Sequence, residues 1–417
     1  MQTACAAAVA SILVLSAAAS LTNAQPRASL TLRGGEMAPA PCRVVACGGS
    51  VSDGKGFSAA VVDDGKILMW GDGSTRALGA PDSSTEGSTV PAAVAGLESG
   101  VSHVALGGKH AAAISQKGEL FTWGTGFCGQ LGHGSGEDKA HPTLVEGPLA
   151  GLTVTDVSCG ETHSVCSTID GRVFTWGMDI EGQLGHGASG HKPLPTPLGG
   201  VLADVQVSAV DCAVGPGGPG HTAALAGGKL YTWGFGQNGQ LGHGDNSSRL
   251  EPTLVQGALA DKTVVAVSCG ATHTAALTDD GKVWTWGGGE SGQLGHGEKN
   301  YLSEPKELKG VLEHKKMIAV ACGGYHTAAL MLDGSVWCWG EGVSGQLGVG
   351  SNEATAHPSM VPNLKAVALA CGSHHSAAVT AEGRIVTWGY NRDGQLGHGD
   401  TQNKDLPTDV LGLKAAV

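Results

Sequence analysis

Seven Trp-Gly dipeptides, at Trp70, Trp123, Trp176, Trp233, Trp286, Trp339 and Trp388, divide this chain into steps of 53, 53, 57, 53, 53 and 49 residues. The unit around each pair is clearest from Val267 to Gly297, where Cys-Gly-Ala-Thr-His-Thr leads through a short apolar run to Asp-Gly, then to Val-Trp-Thr-Trp-Gly and Gly-Gln-Leu-Gly-His-Gly. A period of about fifty residues, built from short strands and Gly-rich turns, is the mark of a β-propeller with one four-stranded blade per repeat. The expected fold is therefore all-β, a seven-bladed β-propeller.

The local chemistry supports this. His273 to Thr278 is a run rich in Thr, Ala and Leu, and Asp280-Gly281 supplies a hairpin turn whose Gly accepts positive φ. Lys282 to Trp286 then alternates. Period two puts Lys282, Trp284 and Trp286 on one face, so the recurrent Trp is predicted to wedge between neighbouring blades. Gly-Gln-Leu-Gly-His-Gly follows at 129–134, 182–187, 239–244, 292–297 and 394–399, as Gly-Gln-Leu-Gly-Val-Gly at 345–350 and only as Arg76-Ala-Leu-Gly79 in the first unit. Its glycines suit a tight turn and its Leu a core anchor.

The order Cys-Gly-x-x-His-Thr, Trp-Gly, Gly-Gln-Leu-Gly-His-Gly resembles the regulator of chromosome condensation family, and the resemblance covers Arg43 to Val417. It implies the propeller and leaves the function open, because such folds host unrelated tasks. Plant ultraviolet-B photoreceptors of this kind absorb light through tryptophans in Gly-Trp-Arg-His-Thr motifs. Here the matching stretches are Gly270-Ala-Thr-His-Thr274, Gly323-Gly-Tyr-His-Thr327 and Gly372-Ser-His-His-Ser376. They hold no Trp, which argues against photoreception. The family also includes exchange factors for the GTPase Ran, so guanine-nucleotide exchange on a small GTPase is the alternative function that the resemblance implies.

Composition narrows the partners. Lys and Arg number 25 against 37 Asp and Glu, a net charge of −12, and no basic tail precedes the first unit. A phosphate-binding surface needs clustered positive charge, so nucleic acid and nucleosomes are disfavoured as partners. Most of the 69 glycines fall in the repeated turns rather than in low-complexity tracts.

Residues 1–24 carry no charged side chain and end at a small-residue site, as a signal or targeting peptide would. Residues 25–40 fit either a plain linker or the second part of a plastid-type leader, and 41–417 form the propeller. The leader points to the secretory pathway or an organelle, and to the cytoplasm if it is not used. Its apolar stretch is too short and Ala-rich for a membrane span. Cysteine usage pulls against secretion. Of eleven cysteines, Cys47, Cys159, Cys212, Cys269, Cys322 and Cys371 hold one strand position in successive units, too far apart for disulfides, and read as small buried hydrophobes.

Six histidines (His110, His163, His221, His273, His326, His375) precede a Trp-Gly by twelve or thirteen residues, and five more (His133, His186, His243, His296, His398) nearly close the Gly-rich motif. Repetition favours a structural hydrogen-bonding role over a metal ring, and Phe57 at the first unit's equivalent place shows that imidazole is dispensable there. Gly49-Ser-Val-Ser-Asp-Gly54-Lys55-Gly56 approaches a phosphate loop, but Gly56 stands where Ser or Thr must ligate magnesium, and a strand follows instead of a helix. Catalytic, metal and cofactor sites are therefore not expected.

The function predicted is a non-enzymatic interaction scaffold or regulator whose protein partner meets the loops. Two loops are enlarged. The step from the series Cys to the next His is four residues at Cys322 to His326, nine at Cys212 to His221, and ten at Cys47 to Phe57. Both loops join the same pair of strands and are expected on one face, with Ser52, Asp53 and Lys55 in the first and Gly215, Pro216 and Pro219 in the second as partner-binding candidates. Ring closure is expected to bring residues 43–47 beside the last blade as an added strand, because Leu413 to Val417 repeats the pattern of Leu364 to Ala368.

Overall fold

The computed structural model describes residues 44–62, 65–80, 84–215 and 220–413. The two leader segments, 1–24 and 25–40, lie outside these residues. Among those described, the strands form seven four-stranded antiparallel sheets, each built from four consecutive strands. Blade 5 shows the plan, with an inner strand Val264–Cys269, a second His273–Thr278, a third Val283–Gly287 and an outer strand Leu302–Glu307. Up-and-down succession puts the loops joining strands one to two and three to four on one face, here called upper. The other connections lie on the lower face. No helix of the described residues is long and apolar enough to cross a membrane.

Strand alternation gives each blade two apolar faces, and they are buried between blades rather than within them. Seven apolar clusters result, one at every blade-to-blade junction. The seven Trp-Gly tryptophans are fully buried there. Each indole Nε1 donates, at 2.7–3.0 Å, to a backbone carbonyl in the Gly-rich turn of the preceding blade, as Trp286 does to Gln240. The wedge expected from periodicity is thus also a hydrogen-bonded strut. The approach is close enough that a Cβ on Gly242 would stand 2.7 Å from the Trp286 Nε1, so this turn admits only Gly.

Ring closure differs from the expectation. Val44–Gly49 is the inner strand of the first blade and pairs with Gly56–Val62 of that blade, not with a strand of the last. The ends do meet, since Leu413 packs on the apolar cluster that holds Val45. What closes the ring is the junction used everywhere else. Trp70 donates to the Gln395 carbonyl at 2.8 Å, and Gly399 N donates to Thr89 O at 2.8 Å.

No strand exchange is needed to manage the open edges, because each blade protects its own. All seven outer strands carry proline at their fourth residue: Pro91, Pro142, Pro195, Pro252, Pro305, Pro358 and Pro407. The ladder shifts register beside it, as between Thr285 and Gly287 opposite the strand of Pro305. Proline offers no N–H to a passing strand, and the bulge bends the edge away.

Candidate functional site

The repeated histidines form the frame on which any site must sit. Each imidazole Nε2 reaches the hydroxyl of the Ser or Thr on the second strand of the next blade, at 2.8–3.1 Å, from His110 with Ser164 to His375 with Ser58. Each hydroxyl donates in turn to a Gly-rich-turn carbonyl at 2.7–2.9 Å, in all six cases the one that also takes the Trp. A hydroxyl has one proton, so the imidazole donates and is the neutral Nε2–H tautomer. Burial holds these imidazoles far below the ordinary range, to about 4 for His163 and about 3 for His110, His221, His273, His326 and His375. The ring packs so closely on the Cys-Gly step that a Cβ on Gly270 would lie 2.3 Å from His273 Cε1. The second histidine set is likewise structural, as His296 Nε2 lies 3.0 Å from Thr285 Oγ1.

Inner strands surround a central channel of about 750 Å³ whose walls include the six series cysteines. All nine described cysteines are free, and burial pushes their thiols up, to about 12 for Cys159 and Cys371. Such thiols are poor nucleophiles. Asp156 and Asp211 also face the channel, yet they are occupied. Asp156 accepts from Val210 N at 3.0 Å, and Asp211 from Cys269 N and Ser158 Oγ at 2.8 Å each. They stitch neighbouring inner strands together, a role with no repeat signature to find it by. Burial raises them, to about 7 and about 6. Among the described residues no three His, Cys, Asp or Glu side chains converge as a metal site would require.

Both enlarged loops start from inner strands, at Gly49 and Cys212, and so share the upper face. The first is held by polar contacts. Ser52 Oγ contacts Ser50 Oγ at 2.9 Å, Asp53 caps Lys55 N at 3.2 Å and pairs with Lys109 of blade 2 at 3.4 Å, and Lys55 Nζ donates to Ser74 at 2.6 Å beside Asp72 at 3.6 Å. Ser50 is fully buried close to Glu161 of blade 3, whose carboxyl burial raises to about 7. On the other side a Cβ on Gly324 of blade 6 would meet Val51 Cγ2 at 3.2 Å. The loop therefore lies across the upper mouth of the channel, with Ser52 and Asp53 exposed on its crest. In the second loop Gly215 is buried, and Pro216 and Pro219 lie outside the described residues.

Sequence reasoning missed a third upper-face feature. Glu290 and Tyr301 of blade 5, Tyr325 and Glu341 of blade 6, and His374 and Tyr390 of blade 7 neighbour one another. Glu341 Oε2 takes a bond from Gln346 Nε2 at 2.9 Å and lies 3.2 Å from His374 Nδ1, whose ring meets Tyr390 edge-on at 6.3 Å. A tyrosine in one repeat is unremarkable, and only the ring geometry gathers three blades' contributions.

An RCC1-like domain matches residues 148–417, and regulator of chromosome condensation (RCC1) repeats match 64–114 and 117–167. The human E3 ubiquitin-protein ligase HERC2 is 36% identical over 335 residues, 78% of this chain but 7% of the ligase, so this chain spans a small fraction of that protein. The ultraviolet-B receptor UVR8 of Arabidopsis thaliana is 33% identical over 314 residues, 75% of this chain and 69% of the receptor. The crystal structure of human WBSCR16 superposes with a TM-score of 0.74 at 27% identity, covering 83% of this chain and 94% of that one.

Proposed function

This chain belongs to the regulator of chromosome condensation repeat family, and we propose that it is a non-enzymatic interaction scaffold that presents its upper face to a protein partner. One observation carries the reading. Among the described residues, every aromatic side chain in a connection between strands is on that face: Phe127, Phe235, Tyr301, Tyr325 and Tyr390. The lower-face connections have none. Aromatic residues dominate the energetics of protein interfaces, and a rigid frame that holds them in loops meets a partner with little ordering cost. Both enlarged loops start from the same face, with Ser52, Asp53, Lys55 and Gly215, together with Pro216 and Pro219 outside the described residues, as the residues we assign to partner contact.

The test is capture of cellular partners by the intact chain and by one whose two enlarged loops are cut to the common four-residue step. The trimmed protein is expected to fold and to lose capture. Undiminished capture would move the site off these loops. The alternative reading, nucleotide exchange, makes a separate prediction: accelerated nucleotide release from a small GTPase, against none for a scaffold.

A further inference from the structure

In each blade the residue after Trp-Gly donates its backbone N–H to the carbonyl of the residue before the His position, so the two side chains stand together on the upper face. In blades 5, 6 and 7 these pairs are Gly288 with Thr272, Glu341 with Tyr325, and Tyr390 with His374, at 2.7–2.9 Å. The Trp and His struts do not involve these side chains, which leaves them free to vary between blades. They run from the smallest choice in blade 5 to two aromatic rings, a carboxylate and an imidazole in the next two. Glu290 and Tyr301 complete the group from the blade 5 loop, where the nearby Glu290 carboxylate holds the Tyr301 phenol above its ordinary range.

The electrostatics point one way. Glu341 and Glu290 both act on the half-buried Tyr325 phenol, which burial and these two carboxylates raise above its ordinary range. Glu341 is held in place by Gln346 and His374, so its orientation does not depend on a ligand. In blade 5 the equivalent positions are Thr272 and Gly288, followed by Gly289, and add neither a ring nor a charge to this face. A ring with two carboxylates close to its phenol attracts a cation through its quadrupole and through charge together. The net charge of −12 adds long-range attraction for a basic partner.

We propose that the upper face over blades 5 to 7 docks a basic segment of a protein partner, with a Lys or Arg side chain lying against Tyr325 between Glu290 and Glu341. The proposal rests on the upper face being the partner face, and it adds the chemistry of the partner.

A fluorescein-labelled peptide of six Gly-Arg repeats, titrated into the full chain and followed by anisotropy, tests it, with a Gly-Glu peptide of equal length as the blank. The Arg peptide is expected to bind and the Glu peptide not. Tyr325→Ala, Glu341→Gln and Glu290→Gln should each weaken binding about tenfold, while Tyr325→Phe keeps the ring and stays within about threefold. Asp204→Asn removes one negative charge from an exposed lower-face loop and should change nothing. Thermal midpoints confirm folding, and Glu290, being exposed, serves if Tyr325→Ala is unstable. An Asp204→Asn loss equal to that of Glu341→Gln would reduce the effect to diffuse attraction and overturn the proposal. So would binding indifferent to both Glu341→Gln and Glu290→Gln. Failure here with loop-dependent capture intact would leave the scaffold reading standing.

Discussion

At the scale of the residue, the His-to-hydroxyl relay explains the one unit that departs from it. Blade 1 has Phe57 where the others have His, and the next blade has Ala111 where the others have Ser or Thr. Both are buried in one apolar cluster. Donor and acceptor have been given up together, which is what the cost of a lone buried polar group requires. The same pairing recurs at Cys338 and Val349 in blade 6, where other blades match a Thr with a His. We therefore predict that Thr327→Ala alone, which strands the His273 Nε2–H, costs about 1–3 kcal/mol, and that His273→Phe with Thr327→Ala recovers part of it. A double-mutant cycle by denaturant unfolding measures the coupling, and additive single effects would show that the pair does not act as a unit.

The same imidazoles make the fold acid-sensitive. Their folded pKa values of about 3 to 4 lie below the unfolded value of about 6.5, so the unfolded chain takes up more protons as pH falls. Their contribution is complete above about pH 6.5 and is lost toward pH 4. Asp156, Glu161 and Asp211 act in the opposite sense, since their raised values favour the folded state in acid and lose that contribution as pH rises through about 6 to 7. Six imidazoles outweigh three carboxyls in the range they share. The denaturation midpoint should fall between pH 6.5 and 4, and less steeply in the His273→Phe, Thr327→Ala variant. A flat profile would mean that the ring histidines are not neutral in the fold.

At the scale of the element, the hairpin and the Trp wedge were legible because they follow from period and turn chemistry alone. The Trp286 face assignment and the Gly281 turn, with φ of 81°, are as the pattern predicts. The outer strand was not legible. Its six residues, such as Leu-Ser-Glu-Pro-Lys-Glu, are mostly polar and mostly half-buried or exposed, with no alternation of apolar residues to mark a strand and a proline that argues against one. Only the finished sheet shows that the proline is the edge's protection. Replacing Pro252, Pro305 and Pro358 by Thr should leave the unfolding midpoint within a few degrees, while light scattering of the concentrated protein rises as edges pair between molecules. Scattering equal to that of the parent chain would assign the edge protection to the bulges instead.

At the scale of the whole molecule, seven blades were countable from seven tryptophans, but the way the ring shuts was not. Circularity leaves the repeat's starting point undefined in a sequence, so a chain that stops with a strand-like segment suggests an exchanged strand as readily as four complete strands per blade. The candidate site shares this limit. The enlarged loops show as changed spacing, whereas the group around Tyr325 draws on residues from three successive repeats that only the packing of blade on blade makes neighbours. Since the junction of blade 7 with blade 1 uses the same Trp70 and Ser58 bonds to Gln395 as the others use to their own turns, it has no special standing. Truncating Trp70 to Ala should then cost what Trp286→Ala costs, about 3–5 kcal/mol in either case. Opening the ring elsewhere should be tolerated too. A circular permutant that joins Leu413 to Val44 by a short Gly-Ser linker and begins at Val154, the inner strand of blade 3, divides no blade. It is expected to keep its circular dichroism and a thermal midpoint within a few degrees of the parent. Collapse of this permutant, with the parent chain stable, would show that the native junction has a continuity that its hydrogen bonds do not reveal.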